Sequence, residues 1–361
     1  QWLEGQVGGA GKHTWADGSC YHGEHTSGVR HGRGRMQYVD GSRYEGDYEA
    51  GYKHGNGRFS SAQSEGKWVV YTGQFENGMA HGSGTMQWNE GEEMIALYEG
   101  EFQEGLRHGK GILMEPVKRE ESEGEGWRGK QQEVQEKQRE EMDELQGKKE
   151  EGDGEVQPTA DGGMVSNSAE ERKFNADMNM YDGEWRKDKR HGYGKLLKHD
   201  GSEYVGEFRF DKLWGSGSWR SAHGDLYEGR FVEDSMHGIG TYQSAHGEVY
   251  EGEWLNHLPH GTGKYVQANG NQYEGDFLRG KRTGKGTLRY SNGDVYEGSM
   301  EDGKPYGEGM LMYADGETTF KGEFFRGLKH GKGILIEVVN DEAVIREGTW
   351  NRGKMIKQEL T

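Results

Sequence analysis

Residues 250–273 read YEGEWLNHLPHGTGKYVQANGNQY. Tyr250, Gly252 and Trp254 alternate with Glu251 and Glu253, the two-residue period of a β-strand with one aromatic face and one charged face. Gly252 leaves room on the aromatic face for a ring or a backbone to approach closely. Turn chemistry follows, about six residues of it, and a second strand is expected from Gly261 to about Gln267. Asn269-Gly270 then reverses the chain, and Tyr273 begins the pattern again after 23 residues. The stretch thus reads as one β-hairpin followed by the start of the next.

The same clock runs through most of the chain. With the opening aromatic as position 1, units begin at Tyr21, Tyr44, Tyr71, Tyr98, Tyr181, Tyr204, Tyr227, Tyr250, Tyr273, Tyr296 and Phe320. Positions 3, 12 and 14 are glycine in all eleven units, and position 16 is apolar or aromatic in every one. Position 5 is aromatic in nine, with His25 and Met300 as the exceptions. Residues 1–20 resemble the tail of a further unit, and Arg346–Lys354 a degenerate beginning. A lone hairpin is barely stable in water, whereas stacked hairpins share rings across their boundaries. The expected fold is therefore all-β: a single-layer, elongated and curved antiparallel sheet.

Composition agrees. The 361 residues include 64 glycines, only 30% hydrophobic residues and 40 rings from 11 Phe, 10 Trp and 19 Tyr, so aromatics must supply much of the core. A single cysteine, Cys20, excludes an intrachain disulfide framework and points to a reducing compartment. The chain opens at Gln1 with no visible signal-peptide pattern, and no apolar run reaches the ~20 residues of a membrane helix. A net charge of −18 disfavours nucleic acid and broad docking on anionic lipid.

The pattern Tyr-Glu-Gly-Glu-Trp followed by His-Gly-x-Gly-x-Tyr resembles the MORN repeat family, and the resemblance covers nearly the whole chain apart from one insert. It implies a strip of β-hairpins with a groove on one face, no cofactor, and peptide binding of the kind known for some members. With no further domain of catalytic size in the residues given, the chain is most similar to scaffolds built only of such repeats and to radial-spoke-head proteins of axonemes. The resemblance implies a cytoplasmic, cytoskeleton-associated protein of an axoneme, basal body or cell cortex. Its groove would hold a helix or extended segment of a protein partner, and its open strip ends leave room for homo-oligomers. A phospholipid-binding tether is the alternative; a targeting module cut from an enzyme is a third reading.

The clock stops after Met114 and restarts at Tyr181, dividing the chain into repeat blocks 1–114 and 181–361 around an insert, 115–180. The insert holds 19 acidic and 10 basic residues. Gln131–Leu145 is expected as a solvated helix with i,i+4 charge pairs and Gly152–Ser168 as a disordered linker. The sheet is expected to continue across the insert with Tyr181 near Tyr98; a hinge there is the alternative.

Candidate sites follow from the repeat. The rings richest in partner-binding potential are Trp185, Phe208, Trp214, Trp219, Phe231 and Trp254. Basic residues around positions 9–11, namely Lys187, Lys189, Arg190, Lys281, Arg282 and Lys329, are the candidates for lipid headgroups. Histidine fills position 11 in eight units, but equivalent residues in successive hairpins stand roughly 10 Å apart, too far to share a zinc ion. A capping role is expected for them, bonded to the position-2 glutamate or to a backbone carbonyl. The run 280–287, GKRTGKGT, lacks phosphate-loop spacing, and the repeated glutamate pairs read as framework rather than an acid–base couple.

Overall fold

A computed structural model describes residues 2–3, 6–62, 66–117, 178–340 and 342–358. All regular structure among them is β-strand, every described pairing is antiparallel, and the fold class is all-β as expected. The chain forms two compact units, one of described residues up to 117 together with 178–235, the other of 236–358. Nothing in the repeat spacing marks that division, because the 23-residue period runs unbroken from Tyr227 to Tyr250.

Each repeat is a hairpin, but its first turn is tighter than the six residues expected. Leu255 already pairs with Leu258, so the loop is Asn256-His257 alone and the second strand starts at position 9. Both loop residues have positive φ, 49° and 68°. This conformation suits a two-residue turn between twisted strands. Most units place glycine second in the loop, as in Ser27-Gly28 and Asn77-Gly78; others carry aspartate, as in Lys187-Asp188. That aspartate bonds to the preceding hairpin: Arg107 N–H donates to Asp188 at 2.9 Å, Arg190 N–H to Asp211 at 2.9 Å and Leu213 N–H to Asp234 at 2.8 Å.

The hairpin also contains a bulge. Gly252 faces Gly263 while Glu253 faces His260, leaving Gly261 and Thr262 over. Gly261 takes φ +60°, a left-handed conformation that glycine adopts without strain. The Glu253 carboxylate accepts the Thr262 N–H at 2.9 Å, satisfying the donor that the bulge frees. The same bond recurs from position 4 to position 13 in other units, for example Glu24 to Arg33, Asp47 to Asn56 and Glu207 to Ser216.

The core is a zipper of rings. Position-1 tyrosines of both units lie over the glycine pair of positions 3 and 14 and donate their hydroxyls to the position-4 carbonyl, as Tyr44 does over Gly46 and Gly57 to Asp47 at 2.8 Å and Tyr250 over Gly252 and Gly263 to Glu253 at 2.9 Å. Within each unit, position-5 rings stand edge-on between the position-1 rings of their own and the preceding hairpin. In the first unit Phe75 lies 5.0 Å from Tyr71 and 5.1 Å from Tyr44; in the second, Phe277 lies 5.2 Å from Tyr273 and 5.0 Å from Tyr250. Edge-to-face pairs each contribute about 0.5–1.5 kcal/mol beyond area burial, so every hairpin is held mainly by its neighbours. A second ladder joins the loops: the position-8 N–H donates to the position-10 carbonyl of the preceding hairpin, as Gly51 to Arg30 and Gly280 to Pro259.

At the insert, the strand Leu106–Pro116 pairs directly with Met178–Arg186, from Gly109 opposite Trp185 to Pro116 opposite Met178. Strand structure therefore runs to Pro116 and resumes at Met178, slightly wider than the blocks read from the repeat. Trp185 sits between Tyr98 and Tyr181, at 5.4 and 5.1 Å. The helix and linker expected within the insert lie outside the described residues. At the far end, Glu342–Asn351 and Lys354–Gln358 form the degenerate hairpin, with Trp350 taking the position-5 place against Phe320 at 4.9 Å.

Candidate interaction surface

Burial corrects the aromatic groove. Trp185, Phe208, Phe231 and Trp254 are core residues, 2–4% exposed. The indole N–H of Trp185 donates to the Gly111 carbonyl and that of Trp254 to the Gly240 carbonyl, both at 3.0 Å. These rings hold hairpins together and leave no ring face for a partner. Trp214 and Trp219 are half-buried, the latter paired across the ladder with Tyr204 and Tyr227. The aromatic side is closed by position 16 and by the residue at position 10, which lies opposite the position-5 ring. Where position 10 is basic, the cation lies over rings: Arg107 is 4.4 Å from the Trp185 centroid and Lys53 is 4.2 Å from that of Phe59. Burial lowers the pKa of Lys53 and raises those of the position-1 tyrosines, Tyr71 and Tyr273 to about 12, so their hydroxyls remain neutral donors.

The six basic candidates are mostly engaged. Lys189 pairs with Asp211 at 2.8 Å and Lys281 with Asp302 at 2.9 Å. Arg190 stands over Phe208 and donates to the Asp211 carbonyl. Arg282 packs over Tyr273, and burial lowers its pKa. Lys329 donates to the Tyr313 hydroxyl at 2.8 Å. Lys187 alone among the six is exposed and has no described partner.

Two of the repeated histidines bond to position 6 rather than to the position-2 glutamate: His54 to Glu49 at 3.1 Å and His81 to Glu76 at 3.2 Å. Among the described residues no three His, Cys, Asp or Glu side chains converge as a metal site would require.

What the sequence reading missed lies at position 9. Val29, Tyr52, Met79 and Leu106, in four consecutive hairpins of the first unit, are 45%, 61%, 45% and 38% exposed. Each stands directly after a loop glycine; the Val29 side chain lies beside Gly51 and the Tyr52 ring near Gly78, while the space beside Gly105 is open. The signal was present in the alternation, since position 9 faces opposite to position 10. It was masked because the four residues share apolarity and no one side-chain type, and because later hairpins put Lys189, Lys212 and Lys281 there.

The family model of the MORN repeat matches the chain at twelve segments: 1–20, 21–43, 44–64, 71–93, 98–114, 181–203, 204–225, 227–249, 250–272, 273–295, 296–318 and 320–336. The first of these takes residues 1–20 as a repeat match in their own right. No curated protein matches the chain.

Proposed function

The chain belongs to the MORN repeat family, whose repeats mediate protein or membrane interactions, and we propose that it is a non-catalytic protein-interaction scaffold of a cytoskeletal assembly. The observation that carries this reading is the apolar stripe Val29–Tyr52–Met79–Leu106, exposed on successive hairpin loops and matched to the repeat spacing. Contiguous exposed apolar residues mark protein contacts more often than scattered ones do. The stripe suits a helix or extended segment of a partner laid across the hairpins, with anchors about 10 Å apart, two strands per unit. The protein reading is preferred to the lipid tether because Lys189 and Lys281 are neutralised by aspartates and Arg190, Arg282 and Lys329 are turned onto rings. Axoneme, basal body and cell cortex are the settings that the family resemblance proposes.

The test is detergent extraction of cells expressing the tagged chain, followed by imaging of the residue. Retention on a filamentous structure, lost on the triple change Tyr52→Ser, Met79→Ser and Leu106→Ser, supports the scaffold. Release of the wild type with the membranes overturns it.

A further inference from the structure

The charged face of the first hairpins differs from that of the rest. Lys12 pairs with His22, His22 with Arg35, Arg35 with Glu45 and Glu45 with Arg58, forming one cross-strand row on the face opposite the ring zipper. Four of these five side chains are basic or protonatable, in a chain that carries −18 overall. In the second unit the equivalent row runs Glu251, Lys264, Glu274, Thr287 and Glu297, with three carboxylates and one cation. Two neighbouring cavities, of about 730 and 620 Å³, open on this part of the face, and His22, Arg35, Glu45 and Arg58 line both. Arg43 lines the first and Arg33 the second. Arg35 bonds to Glu45 at 2.8 Å, and Arg33 approaches Asp47 at 3.6 Å. Asp47 also accepts the Asn56 N–H of its bulge. Arg43 and Arg58 are exposed and have no carboxylate partner among the described residues.

We infer that this groove is a docking site for an acidic peptide segment of a partner protein. Arg35 and Arg58 occupy the same repeat position one hairpin apart, roughly 10 Å from strand spacing alone, close to the ~9 Å that separates same-face carboxylates three residues apart in a polyproline-II segment. Guanidinium groups form bidentate bonds with carboxylates, and Arg43 and Arg58 are available for them without breaking an existing pair. The surrounding negative field repels polyanions at long range, so capture must come from local contacts in the groove. The site is independent of the apolar stripe and stands or falls apart from the cytoskeletal reading.

The test is fluorescence anisotropy of a fluorescein-labelled octaglutamate peptide titrated with the full chain at low salt. The expected result is saturable binding, weakened at least tenfold by Arg43→Glu/Arg58→Glu, several-fold by Arg43→Gln/Arg58→Gln, and less than twofold by the distal control Lys264→Glu. Circular dichroism of each variant reports retention of the sheet. No binding by the wild type, or equal losses in Lys264→Glu and the arginine variants, overturns the proposal. Arginine-dependent binding to phosphatidylserine vesicles without binding of the peptide overturns it in favour of a membrane surface.

Discussion

Replacing Gly263 with alanine tests the ring-over-glycine core directly. On general grounds alanine in a strand interior gains about 0.5–1 kcal/mol over glycine, because it restricts the unfolded chain. Here a Cβ on Gly263 would stand 2.5 Å from the Tyr250 hydroxyl oxygen and 2.7 Å from Cε2 and Cζ. The ring cannot yield without loss. It is 3% exposed, bonds to the Glu253 carbonyl at 2.9 Å and touches Trp254 and Phe277 edge-on at 5.0 Å. Overpacking of this kind costs about 1–3 kcal/mol, and loss of the hydroxyl bond costs about 1 kcal/mol more. The net expectation is a local loss of about 1–3.5 kcal/mol after the backbone gain, which speeds amide opening roughly 5- to 400-fold. Because repeats unfold locally, hydrogen exchange of amides in Val249–Leu255 and Leu258–Val266 is the appropriate assay rather than one global melt. Adding Tyr250→Phe should recover little of the loss, since Phe320, which has no hydroxyl, would still stand 2.5 Å from a Cβ on Gly333. Unchanged or slower exchange in Gly263→Ala would refute the packing argument.

Three further outcomes follow from the same contacts. Trp185→Ala removes the ring that joins Tyr98 to Tyr181 and should cost about 3–5 kcal/mol, read as early loss of exchange protection in Leu106–Pro116 and Met178–Arg186. Replacing 118–177 with a short Gly/Ser bridge should keep or raise the melting temperature, because Pro116 and Met178 already pair and shortening the loop is worth up to about 2 kcal/mol; a marked drop would show that the insert packs on the sheet. The Thr262 N–H and hydroxyl hold the Glu253 pKa below its usual value. Its contribution is therefore present above the unfolded value of about 4.3 and lost as pH falls through the folded value. Glu253→Gln should flatten the acid limb of local stability, measured by exchange between pH 3 and 6.

The period, the invariant glycines and the strand alternation were legible because each repeats an identical demand: Gly252 and Gly263 must admit the Tyr250 ring wherever the unit occurs. The turn was not, because the chemistry of positions 7 and 8 varies. Asn256-His257, Lys187-Asp188 and Ser27-Gly28 share a positive-φ backbone but little composition. Ring burial was misread because a one-layer sheet suggests open rings, whereas Trp185 and Trp254 are enclosed by tyrosines of adjacent hairpins and by the position-10 side chains. Of the paired glutamates, Glu253 satisfies the bulge, a role that depends on a register spacing alone does not reveal. The basic groove escaped notice because Arg35, Arg43 and Arg58 are separated in sequence and become neighbours only through strand pairing.

The most direct test of the scaffold is site-specific photocrosslinking in cells, with a benzoylphenylalanine placed at Tyr52 and, as a comparison, at Tyr265 on the ring side. The account predicts a discrete protein adduct from Tyr52 in the detergent-resistant fraction and none from Tyr265. Adducts from Tyr265 alone, or only lipid adducts from Tyr52, would contradict it.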